Sequence, residues 1–152
     1  MRSQKGMSLV EVMATVTVLA VAILAITFLL QTSSSAARDN EAIERSVQVT
    51  RTVMEEIKFN LKSNSSVTVY GQSINLNTIR TSEPPYLAPS LFYPSISDKQ
   101  YKIEIQSLQV DNKYTIKGDP YQVKNYFRKI LVTCVNLKSN HSYELEALVE
   151  YN

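Results

Sequence analysis

Along the chain the rhythm of polar and apolar positions changes twice. Residues 7–30 are apolar almost without interruption, residues 43–61 are apolar along one side of a helical period, and from about residue 66 the alternation is that of strands. Each stretch predicts a different element. The 24 residues of 7–30 contain one ionisable side chain, Glu11. As a helix they span about 36 Å, against a hydrocarbon core of about 30 Å. Thr15, Thr17 and Thr27 are the polar interruptions within 12–30, and helical threonine can return its hydroxyl to its own backbone. Arg2 and Lys5 precede the run, and the next charges are Arg38 and Asp39. Positive charge before the span places that end in the cytoplasm and everything after residue 30 outside it.

Beyond the run, Ile43, Val47, Thr50, Met54, Ile57 and Leu61 recur at spacings of 4, 3, 4, 3 and 4, with Glu41, Glu44, Arg45, Arg51, Glu55, Glu56 and Lys58 off that stripe. This is the pattern of a helix with one face on a core. No glycine or proline lies between residues 30 and 62, so one helix over 8–62 is expected, a break near 32–35 being the alternative. Short alternating runs then cover 66–70 and 72–79, split by Gly71; residues 81–98 hold four prolines and read as loop. Residues 101–105 alternate, 114–117 precede a turn at Gly118, Asp119 and Pro120, and 127–137 and 143–151 predict an antiparallel hairpin. Tyr143, Leu145, Ala147, Val149 and Tyr151 share one face of the last strand. A one-faced sheet needs a cover, and the stripe from Ile43 to Leu61 is the available one, so Met54, Ile57, Leu145 and Val149 should be buried. The fold class is α+β: a long N-terminal helix on a small antiparallel head.

Glu11 is the chemical anomaly. Ser8 and Glu11 have the S-x-x-E spacing of a capping box, in which Ser8 caps the helix and the glutamate reaches back. A carboxylate in the first turn also meets the positive end of the helix dipole. Glutamine would complete the same box without a charge, so capping explains why Glu11 is tolerated and not why it is needed. A lone ionisable group in a membrane helix points to a function and to a partner.

The stretch GMSLVEV at residues 6–12, after a short basic leader and before a long apolar helix, resembles the processing site of the type IV pilin and pseudopilin superfamily. The resemblance covers about the first 30 residues and, more loosely, the helix that follows. It implies cleavage after Gly6 on the cytoplasmic side by prepilin peptidase and N-methylation of the new terminus, Met7. Glu11 would be the assembly glutamate, meeting the Met7 amine of a neighbouring subunit. Met7 stands where phenylalanine is more frequent in that family. Residues 8–69 contain no glycine or proline, and a single cysteine cannot close the C-terminal disulfide loop of major pilins. These departures favour a minor pilin or pseudopilin.

On that reading residues 1–6 are a leader, 7–30 the transmembrane and assembly helix, 31–62 its amphipathic continuation, and 63–152 the antiparallel head. The protein would reside in the bacterial cytoplasmic (inner) membrane and then in a pilus or pseudopilus serving a type IV pilus, type II secretion or competence machine. Its implied partners are other pilin or pseudopilin subunits, prepilin peptidase, the inner-membrane assembly platform, and membrane lipid before assembly.

Composition narrows the alternatives. Removing Arg2 and Lys5 from the 16 basic side chains leaves 14 against 14 acidic ones, so the mature chain has no global field for nucleic acid. Lys99, Lys102, Lys113, Lys117, Lys124, Arg128 and Lys129 nonetheless interleave with Tyr101, Tyr114, Tyr121, Tyr126 and Phe127, a combination that suits single-stranded nucleic acid. The bland reading is lysine outward and aromatics inward on strands. His141, the lone histidine, falls in a turn and Cys134 in an apolar strand, so no catalytic set, metal or cofactor is expected. Two other readings stay open. One is an exported or anchored domain with an ordinary signal sequence, cut near the small residues 33–37. The other is a DNA-binding pilus component.

Overall fold

The uninterrupted helical pattern is realised as one helix, α1, Leu9–Asn60, in a computed structural model that describes residues 8–110 and 123–152 and the backbone of 115–116 and 119–120. No break occurs near residues 32–35. The chain divides into two units, Met1–Glu41 and Ala42–Asn152.

In the first unit every residue from 8 to 41 is exposed. One window of the helix reaches a mean hydropathy of 2.6 with none of it buried, so it is long and apolar enough to cross a membrane. The hydroxyls within it are satisfied locally. Thr15 and Thr17 donate to the carbonyls of Val12 and Ala14, and Thr27 and Thr32 donate to those of Ile23 and Phe28, all at 2.8–2.9 Å. A polar side chain in lipid needs such a partner, because water is absent.

In the second unit α1 buries Ser46, Val49, Thr50, Val53, Met54 and Ile57, and Leu61 follows just beyond it. The covered stripe is wider than the expected one, and it starts later: Ile43 is 47% exposed. Past the helix, β1 (Ser66–Val69) and β2 (Gln72–Asn75) form a hairpin whose two-residue turn is Tyr70-Gly71. Both turn residues have positive φ, 52° and 71°, the twist that a tight hairpin demands. The strand expected over 72–79 ends early. Asn75 accepts from the Thr78 amide at 3.0 Å and caps a short helix, α2 (Leu76–Thr81), which buries Leu76 and Ile79. Their spacing of three suits a helix face as well as it suits apolar enrichment in a strand, and the cap decides.

The stretch 81–98, expected as loop, also supplies two short strands, β3 (Tyr86–Leu87) and β4 (Leu91–Pro94). Both pair antiparallel with one edge of β5 (Lys99–Leu108). Buried Gln72 holds β4 by mimicking a backbone: its side-chain amide donates to the Phe92 carbonyl at 2.6 Å and accepts from the Phe92 amide at 3.0 Å. β6 (Thr115–Ile116) pairs with β7 (Asp119–Pro120), so the expected turn at Gly118–Pro120 is partly strand, and Gly118 lies outside the described residues. A single 3-10 turn, Val123–Asn125, leads into β8 (Phe127–Asn136) and then β9 (Ser142–Glu150).

The main sheet has the order β3-β5-β8-β9, with β4 also on β5. Its inner face carries Tyr101, Ile103, Ile105, Ile130, Val132, Cys134 and Val149, which join Val49, Val53, Met54, Ile57 and Leu61 of the helix in one core. The Arg80 guanidinium closes the helix end, donating to the carbonyls of Lys62 and Asn64. A cation there also meets the negative end of the dipole.

Candidate functional site

The helix start is built by Ser8. Its carbonyl accepts from the amides of Glu11 and Val12 at 3.0 and 3.2 Å, and its Oγ accepts from the Glu11 amide at 3.3 Å. The serine half of the capping geometry is therefore present. Among the described residues the Glu11 carboxylate has no hydrogen-bond or ion-pair partner, so the reciprocal bond to the Ser8 amide is not made. The carboxylate stands exposed on the helix face that also carries Ala14, Thr15, Val18, Leu19 and Ala22. These positions follow Glu11 at helical spacing on one face, a signal that the sequence already carried. Gly6 and Met7, the expected cleavage and methylation positions, lie outside the described residues.

The arrangement suits the binding of a cation. An unpaired carboxylate next to an apolar surface offers a strong, position-specific contact to a single cation, because attraction grows as the dielectric falls.

The head supplies no competing centre among its described residues. His141 is exposed in the β8–β9 turn. Cys134 is fully buried, and burial pushes its thiol up to about 11, against smaller opposing contributions from the hydroxyls of Thr50 and Ser46. A thiol held protonated is a packing group, since reactivity belongs to the thiolate. Among the described residues no group of three His, Cys, Asp or Glu side chains could hold a metal ion.

The interleaved basic and aromatic run does not form one surface among the described residues. Tyr101 is buried, Lys102 pairs with Glu104 at 2.6 Å, and Lys129 pairs with Glu146 at 2.8 Å. Lys99 stacks over Phe92 at 4.5 Å, while Arg128 lies over the Tyr151 ring at 5.1 Å and donates to the Arg80 carbonyl. Lys113, Tyr114, Lys117 and Tyr121 lie outside what can be described.

A family model described as the prokaryotic N-terminal methylation motif matches residues 1–27. That motif is the type IV pilin and pseudopilin signature. No curated protein matches the chain, and no solved structure does. The motif and the apolar helix fit a protein anchored in the inner membrane by a single span, and the motif implies prepilin peptidase processing and assembly with other pilin-type subunits.

Proposed function

We propose that this chain is a minor pilin or pseudopilin, a structural subunit and not an enzyme. Prepilin peptidase cuts after Gly6 on the cytoplasmic face and methylates the Met7 amine. The helix then leaves the bilayer for a filament in which Glu11 receives the Met7 amine of a neighbouring copy. The observation that carries this reading is the coincidence of two facts. The methylation motif ends inside a helix whose residues 9–41 are all exposed, and the one carboxylate of its apolar run has no partner among the described residues. A helix of that composition must be covered by something other than water, first lipid and then other subunits.

Two features support a minor role. The lone Cys134 is buried and free, so the second unit has no disulfide, and residues 9–60 form one helix without a glycine or proline at which to open. The machine served is a type IV pilus, a type II secretion system or a competence apparatus.

Intact-mass measurement of the native protein tests the reading. Loss of the six leader residues with gain of one methyl group is expected. Loss of a segment ending near residues 33–37 would replace this function with that of an ordinary exported domain.

A further inference from the structure

We propose that the outer edge of β9 is a strand-addition site for an extended segment of a different protein, one carrying Lys or Arg at alternate positions. This goes beyond the filament role and depends on neither leader cleavage nor Glu11.

The hydrogen-bond parity of the sheet comes first. Asn136 donates its amide to the His141 carbonyl, and Tyr151 donates to the Tyr126 carbonyl. In an antiparallel pair bonded residues alternate. Given the register of β8 on β9, residues 143, 145, 147 and 149 therefore bond inward to β8. The amides and carbonyls of Ser142, Glu144, Glu146, Leu148 and Glu150 point the other way. β9 ends the sheet, and no hydrogen bond among the described residues uses those groups. The edge is nine residues long, without proline or a bulge.

The opposite margin is treated differently. There β3 and β4 are two and four residues long, with Pro84, Pro85, Pro89 and Pro94 in or beside them. Short strands and prolines are the usual means of blunting an edge. One side of this sheet is closed to added strands and the other is open.

Charge selects the occupant. Glu144, Glu146 and Glu150 share the outer face of β9, and the strand has no basic residue. Their partners, Lys129 for Glu146, Lys62 for Glu150 and the Thr133 hydroxyl for Glu144, leave the row exposed. A second copy of β9 would set glutamates against glutamates, which is destabilising, and the other edge of a second copy is blocked. A strand with alternate cations would face the row favourably. Its intervening apolar residues would extend over Tyr143, Leu145 and Ala147, which remain half-buried while Ile130 and Val132 on the neighbouring strand are fully buried. Main-chain bonds give affinity and side-chain alternation gives selectivity, as in other strand additions.

Amide hydrogen exchange on the full chain in nonionic detergent micelles tests this. The probe is a synthetic lysine–valine alternating peptide matched to the nine residues of β9. Without peptide, the amides of Glu144, Glu146, Leu148 and Glu150 should exchange unprotected while those of Leu145 and Ala147 are slow. At about 100 Kd of peptide the outward amides should slow by up to about 100-fold. A glutamate–valine peptide, or the lysine peptide N-methylated at alternate residues, should leave them unchanged. Leu148→Pro removes one outward N–H and no bond to β8, so it should keep the fold and abolish the effect. Outward amides already protected without peptide, or unaltered by the lysine peptide at millimolar concentration, would overturn the proposal. So would equal protection by the N-methylated peptide.

Discussion

Truncating Ile57 to alanine separates the face of α1 that the structure buries from the face that spacing alone suggested. Ile57 is fully buried and packs in the core with Val53, Met54 and Leu61 of its own side and the inner face of the sheet. The change deletes three carbons, a transfer loss of about 2.4 kcal/mol at roughly 0.8 kcal/mol per methylene. The residual cavity raises the expected cost to about 3–4 kcal/mol, since neighbours held by a sheet and a helix relax only partly. Against a total stability on the order of 5–15 kcal/mol, that is a large fraction. The second unit is a little over a hundred residues, so each kcal/mol shifts the midpoint by about 4 °C and the melting temperature should fall by about 12–16 °C. Ile43→Ala is the control. It lies on the same expected stripe but is 47% exposed, and it should cost under about 1 kcal/mol.

Thermal unfolding of the full chain in detergent, followed by tyrosine fluorescence, is the assay. All nine tyrosines lie at residue 70 or beyond, so the signal reports the second unit and not the apolar helix. Equal losses for Ile43→Ala and Ile57→Ala, or a loss below about 1 kcal/mol for Ile57→Ala, would refute the assigned helix face.

Gly6→Val should block processing, because a branched side chain does not fit a site shaped for glycine; an unchanged mature mass would move the cleavage site elsewhere. Glu11→Val should be inserted and cleaved as well as wild type but enter filaments poorly, measured by co-purification with the filament at equal membrane levels; equal incorporation would reduce Glu11 to a helix-start residue. Cys134 should add a pH dependence, because burial raises its folded thiol from the ordinary value of 9.0 to about 11. Its contribution to stability is complete below about pH 9 and lost as pH rises through 11, so unfolding curves of wild type should weaken over that window more steeply than those of Cys134→Ala. Leu145→Asp, half-buried on an edge strand, should destabilise by about 1–3 kcal/mol in urea unfolding, less than the same change at fully buried Val132.

The long helix, the β8–β9 hairpin and the α+β class were legible in the sequence because each rests on a long, strict period: an unbroken apolar run, a 4-3-4 stripe, an alternation. The misses are local. Residues 76–79 look like a strand by composition, yet the Ser65 carbonyl accepts the amides of Leu76 and Asn77 and the Asn75 side chain accepts that of Thr78, which satisfies the first turn of a helix. Residues 86–94 look like loop because of their prolines, yet an edge strand tolerates proline where the missing amide would face solvent. Ile43 fits the stripe in phase, but the start of the core along a helix is set by where the sheet ends, which spacing does not record. At the candidate site, the sequence displayed Ser8 and Glu11 by spacing, whereas the missing half of the capping box appears only when the carboxylate is seen without a partner.

That missing half-bond bears on how a membrane helix could choose its neighbours. Apolar side chains such as Leu9, Val18, Leu24 and Phe28 are each more than half exposed and present no direction to a partner. Lipid tails are as apolar as they are, so hydrophobicity alone drives no helix out of the bilayer toward another. Thr15, Thr17 and Thr27 have spent their hydroxyls on their own backbone. Glu11 is then the one side chain of the span whose free energy depends on which helix lies beside it and in what register. Displaced along the helix by one turn, about 5.4 Å, a cation would leave the carboxylate desolvated and unpaired. Breaking a desolvated pair costs about 3–5 kcal/mol, whereas the intact pair contributes little net stability. On the proposed role, the charge therefore contributes register more than affinity, and the apolar surface around it contributes affinity without register.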